Sequence, residues 1–160
     1  MTTRIIYLLI IVLLMSCDEE ETVSADFINT GFGIVVKDEH GTDLLNPANE
    51  NSYKVDSIDI YWVIDGAKTR IFESNLAHPE HFVIRYNPYH DIYELQLFLN
   101  HKMDENNKAI TYVKWNSVEE DKFECEFKLV ETAYFKYKLW FNDSLIWDWN
   151  NYDYHYEIIR

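Results

Sequence analysis

The chain is poor in the residues that staple, kink or loosen a fold. Among 160 residues there are two Cys, four Gly and three Pro. Cys17 follows an apolar leader, and beyond it Cys125 stands alone, so the domain has no intrachain disulfide to lean on. Basic residues are scarce as well, with 14 Lys and Arg against 28 Asp and Glu and a net charge of −14. Nucleic-acid binding needs a basic face that releases counterions. The spaced pair Lys136 and Lys138 is no such face, which sets that partner class aside. The same acidity works against contact with anionic headgroups. Long apolar runs are missing too. Ile5 to Met15 is eleven uncharged residues, whereas a spanning helix takes about 20.

What is present begins with that run. Met1 to Arg4 is a short cationic stretch ahead of it, the layout of a signal peptide. Leu14-Met15-Ser16-Cys17 resembles the lipobox of bacterial lipoproteins, in which the leader is removed and the cysteine is lipidated. The resemblance implies a signal peptide over 1–16, lipid attachment at Cys17 and a membrane partner reached through acyl chains. The alternative is a short uncleaved anchor helix with a buried thiol. Asp18 to Glu21 then form an acidic block that resembles the export signal of Bacteroidetes surface lipoproteins, and blocks of like charge also serve as extended tethers. The implied address is the outer membrane, lipid-anchored and exposed at the cell surface, with the periplasmic face as the other option. Residues 17–26 read as lipidated cysteine and linker, and 27–160 as one domain, large enough to bury a core unaided.

Within that domain the hydrophobic period is two. Ile58, Ile60, Trp62 and Ile64 alternate with Asp59, Tyr61 and Val63, and Tyr93, Leu95, Leu97 and Leu99 behave alike. Phe123, Cys125, Phe127 and Leu129 alternate with charged neighbours. These are half-buried strands. A fourth run sets Phe135, Tyr137, Leu139 and Phe141 against Lys136, Lys138 and Trp140. Asp65-Gly66 and Asn142-Asp143-Ser144 are hairpin turn signals, Asp38 to Gly41 and Asn116 to Asp121 are further turns, and no helix stands out. About nine short strands spaced in this way predict an all-β fold, a single antiparallel β-sandwich, with a closed barrel as the structural alternative.

Asp43-Leu44-Leu45-Asn46-Pro47 after an Asp-x-x-Gly turn, Thr111 to Asn116 and the terminal aromatic stretch resemble small Bacteroidetes surface lipoproteins. That resemblance, spread loosely over 32–160, implies an immunoglobulin- or transthyretin-like sandwich and carries over no catalytic residue.

Reactive constellations are thin. His78-Pro79-Glu80-His81 with His90 and Asp91 is the nearest to a metal cluster, but helical His spacing is lacking and exposed loop residues are the plainer reading. Asp38, Asp43, Asn46 to Asn51 and Asp104 to Asn107 offer oxygens to calcium without the spacing of an EF-hand, and turn formation explains them. Cys125 lies between glutamates, a setting for a small buried hydrophobe rather than a nucleophile. No Gly-x-Ser-x-Gly elbow is present. The expectation is a non-enzyme without metal or cofactor, with an envelope hydrolase as the distant alternative.

Aromatic residues are the abundance. There are twelve Tyr, nine Phe and five Trp, crowded toward 139–160. Because strand residues alternate faces, Trp140, Trp147, Trp149, Tyr152 and Tyr154 cannot all point inward. They are the candidate ligand-binding residues, for a glycan or a protein partner; the plainer account is cross-strand packing.

Overall fold

The computed structural model describes residues 27–150 and 155–160. Cys17, its tether, Tyr152 and Tyr154 lie outside the described residues. The described chain is all-β, with eleven strands: β1 (Phe27–Ile28), β2 (Gly31–Lys37), β3 (Asp59–Ile64), β4 (Ala67–Arg70), β5 (Phe82–Asn87), β6 (Ile92–Phe98), β7 (Lys108–Lys114), β8 (Glu120–Val130), β9 (Ala133–Phe141), β10 (Ser144–Asp148) and β11 (His155–Ile159). One 3-10 turn, Val55–Ser57, interrupts them.

Two sheets result. The larger runs β1-β9-β8-β7-β3-β4, with β10 also on β9, and the smaller runs β11-β2-β6-β5. The expectation of purely antiparallel sheets is corrected. β1 lies parallel to β9, and β11 lies parallel to β2. Both reach their partners through long connections rather than hairpins, which is the condition under which parallel pairing arises.

The turn residues do what their chemistry predicts. Asp65 and Gly66 join β3 to β4 with φ of 51° and 77°, and Asn142 and Asp143 join β9 to β10 at 45° and 68°. Paired positive φ values match the right-handed twist of the strands they connect.

The inner faces of both sheets share one cluster. Ile34, Val36, Leu95 and Leu97 come from the smaller sheet, while Ile60, Trp62, Val113, Phe123 and Leu139 come from the larger. Asn100, fully buried where the chain passes from β6 to β7, donates from Nδ2 to the Val63 and Ile110 carbonyls at 2.9 and 3.1 Å. Its backbone N–H donates to Thr111 Oγ1 at 2.8 Å. A second buried polar knot holds the C-terminus. Trp115 Nε1 donates to Asp121 Oδ2 at 2.7 Å, Asn142 Nδ2 donates to Asp121 Oδ1 at 2.9 Å, and Arg160 pairs with the same carboxylate. Hydrogen-bonded in this way, such groups specify one arrangement of the core.

β9 departs from straight alternation. Glu126 pairs with Lys138 but Phe127 pairs with Lys136, so Tyr137 is an extra residue in the ladder. This bulge re-phases the strand. Leu139 and Phe141 face the core as expected, but Lys136 turns inward beside Phe32 and Trp147 while Phe135 and Tyr137 turn out. Lys136 Nζ donates to Asn29 Oδ1 at 3.1 Å and to the Gly31 carbonyl. Burial holds its ammonium below the ordinary lysine range.

Candidate functional site

The bulge determines what the larger sheet shows to solvent. Its outer face carries Tyr61 on β3, Tyr112 on β7, Glu124 and Lys128 on β8, and Trp140, Tyr137 and Phe135 on β9. Most of these rings lie under lysines. Lys68 Nζ stands 5.0 Å from the centre of Tyr61 and 4.2 Å from that of Tyr112, and Lys108 Nζ stands 4.8 Å from that of Trp140. Lys128 and Lys138 both reach Tyr137, at 5.1 and 5.4 Å. Carboxylates of β8 fix two of these ammonium groups, Glu120 for Lys68 at 2.5 Å and Glu124 for Lys108 at 2.8 Å. A cation over a ring face is attracted by its quadrupole, and its stem covers apolar surface. Trp140 is therefore half-buried and occupied on its outward side.

One corner is left uncovered. Phe27 on β1, Phe135 on β9 and Trp149 just past β10 form a row along the same edge of β9, with ring centres 6.3 and 5.8 Å apart. Phe27 is 55% exposed, Trp149 51% and Val130 46%. Among the described residues no cation stands over any of the three rings. Lys128, Val130, Phe135, Tyr137 and Trp149 enclose a cavity of about 130 Å³ there. The backbone N–H of Trp149 donates to the Tyr137 carbonyl at 2.9 Å, which continues the ladder and holds residue 149 at the edge. The rings are not coplanar. Phe27 and Phe135 are tilted by 57°, and Phe135 meets Trp149 edge-on at 77°. The result is an apolar notch rather than a flat platform.

The sequence candidates therefore separate. Trp149 stands at the open corner, Trp140 lies on the same outer face under Lys108, and Trp147 turns inward and packs against the core cluster. Phe27, Val130 and Phe135 complete the corner and were not singled out by the sequence. Phe135 carries no local mark of the bulge that turns it out, and Phe27 sits in a two-residue strand whose partner is 106 residues away.

The groups with chemical potential serve structure elsewhere. Cys125 is buried, and burial pushes its thiol far above the ordinary range. Asp38 Oδ1 accepts from the His40 and Thr42 N–H groups at 2.9 and 2.7 Å, and Asp104 Oδ1 accepts from Asn106 and Lys108 at 2.8 and 2.9 Å. Asp43 bridges Leu45 N–H and Tyr93 N–H at 2.9 and 2.8 Å. These carboxylates cap turns. His78, His81 and His101 line a second cavity of about 270 Å³, where Trp62 receives the His81 and His101 rings edge-on at 4.6 and 4.8 Å. His81 Nε2 lies 3.6 Å from Glu73, beyond hydrogen-bonding reach, and burial lowers the pKa of both His81 and His101. Among the described residues no three His, Cys, Asp or Glu groups are placed to hold a metal ion. His90 lies apart from that cavity, 5.5 Å from the His155 ring. A third, polar cleft holds Tyr53, whose O–H donates to Glu119 at 3.0 Å and whose pKa burial pushes up to about 12.

No protein-family model, curated protein or solved structure matches the chain. Its functional reading rests on its own residues.

Proposed function

We propose that the chain is a lipid-anchored module of the cell envelope that acts by contact rather than by catalysis, a β-sandwich of immunoglobulin or transthyretin type presenting an aromatic corner to a partner. The single observation that carries the contact reading is the row Phe27, Phe135 and Trp149, left open on a face whose other rings are covered by lysines. Trp, with Tyr and Arg, is enriched among the residues that carry binding energy at the centre of a contact. Two sheets sharing one core support the sandwich, and the Leu14 to Cys17 motif followed by four acids supports anchoring at the outer membrane, on its outward side. Among the described residues no helix is long and apolar enough to cross a membrane. The burial of Cys125 and the turn-capping roles of Asp38, Asp43 and Asp104 favour a binding role over an envelope hydrolase.

A glycan would draw on the same exposed rings, but tilts of 57° and 77° suit a compact apolar group better than the flat face of a sugar. The test is Trp149→p-benzoylphenylalanine in the full chain, photolysed in intact cells beside a control at Arg70 on the far edge strand. A covalent adduct from position 149 and none from position 70 is expected. No adduct at 149, or equal adducts at both positions, contradicts a contact at the corner.

A further inference from the structure

We propose that the partner of the aromatic corner is the lipid surface of the membrane that carries the anchor, so that the domain lies docked on the bilayer with Trp149 in the interfacial layer. The inference rests on the lipid-anchor reading of Cys17. Nine residues separate Cys17 from Phe27, and an extended chain of that length reaches at most about 35 Å. The first residue after this span, Phe27, is itself the end member of the ring row. A lipid on Cys17 thus keeps the corner within a tether's length of the bilayer, where high effective concentration favours even a weak contact.

The chemistry of the corner suits that surface. Trp149 presents a half-exposed indole, Phe27 and Val130 add apolar area, and Lys128 stands at the wall of the notch with its ammonium over Tyr137. Indole rings settle at the boundary between headgroups and acyl chains, and lysines there extend their charge toward water. The chain's acidity, with Glu131 at the hairpin tip beside Val130, argues for zwitterionic rather than anionic headgroups.

The experiment uses the full-length lipidated protein in vesicles of zwitterionic phospholipid, with and without bromine on the acyl chains. Trp62 and Trp115 are buried in the core, Trp147 packs against it and Trp140 lies half-buried under Lys108, so these four serve as the background that Trp149→Phe leaves unchanged. Bromolipid is expected to quench part of the wild-type emission, and Trp149→Phe is expected to abolish that part while leaving the rest. Phe27→Ser, which removes a neighbouring ring at an edge strand, should reduce the quenchable fraction if Trp149→Phe fails to fold. Fatty-acid labelling of the same preparations separates the two layers of the claim. Labelled protein that bromolipid does not quench, or quenches equally in wild type and Trp149→Phe, overturns docking and leaves the anchor standing. Unlabelled wild type overturns both. Emission that changes with a soluble glycan or peptide but not with bromolipid assigns the corner to another partner and overturns docking.

Discussion

At the scale of single residues, several polar groups are buried beside the aromatic core. His81 is the most exposed to test. It takes φ of 60°, its side chain is nearly inaccessible, its ring meets Trp62 at 4.6 Å, and Glu73, His101 and Lys102 are the charged or titratable groups around it and its neighbour. Burial holds His81 and His101 below their ordinary value near 6.5, with Glu73 opposing that shift. As pH falls, the unfolded chain takes up protons before the folded one does, so the stability these residues contribute is full above about 6.5 and is lost as pH drops toward their lowered folded values. Urea midpoints measured between about pH 7.5 and 5.5 are expected to fall for wild type and to fall less for His81→Asn, a substitution that tolerates the left-handed backbone. Equal slopes in the two proteins would assign the pH dependence to other groups. Lys136 shows the same physics at the other end of the scale: an ammonium drawn inside, held by Asn29 and the Gly31 carbonyl, with its proton loosened by burial.

At the scale of elements, hairpin chemistry and face alternation account for most of what the sequence made legible. β3, β6 and the first part of β8 keep one phase, so Ile60, Trp62, Leu95, Leu97, Phe123 and Cys125 are buried where a period of two puts them, whereas Leu129, expected on the same face, is exposed near the end of β8. The Asp65-Gly66 turn is equally legible, and it is testable. A Cβ at Gly66 meets nothing within 4 Å, so the only obstacle to a side chain is the φ of 77°. Gly66→Ala is expected to cost about 1 kcal/mol, read from the denaturant midpoint with an unchanged slope. No loss there would mean that the turn relaxes to another type. β9 was legible only in part, because a bulge is a property of pairing and Tyr137 looks like any strand residue. That one extra residue turns Lys136 in and Phe135 out, and with them it decides the composition of the corner. The parallel edges were illegible for a related reason. β1 and β11 find partners across the chain, and nothing in Phe27-Ile28 or His155 to Ile159 names β9 or β2.

At the scale of the whole molecule, charge and aromatics are arranged by face. Lysines spread over Tyr61, Tyr112, Trp140 and Tyr137 keep a ring-rich sheet wetted, which answers how so many aromatics coexist with an acidic, half-open surface. On that sheet, among the described residues, the rings left bare include Phe27, the first residue described. Of the aromatic candidates, Trp149 was legible because alternation demands that some rings be outward. Trp147 was not separable from it, since the irregular register between Leu145 and Trp147 sends it to the core. The proposed reading of this chain as an anchored contact module depends first on whether Cys17 in the lipobox-like motif is lipidated. Metabolic labelling of expressing cells with an alkyne fatty acid tests that link most directly. Wild type is expected to carry the label and Cys17→Ser to lack it, whereas an unlabelled wild type, or label retained in Cys17→Ser, would contradict the account.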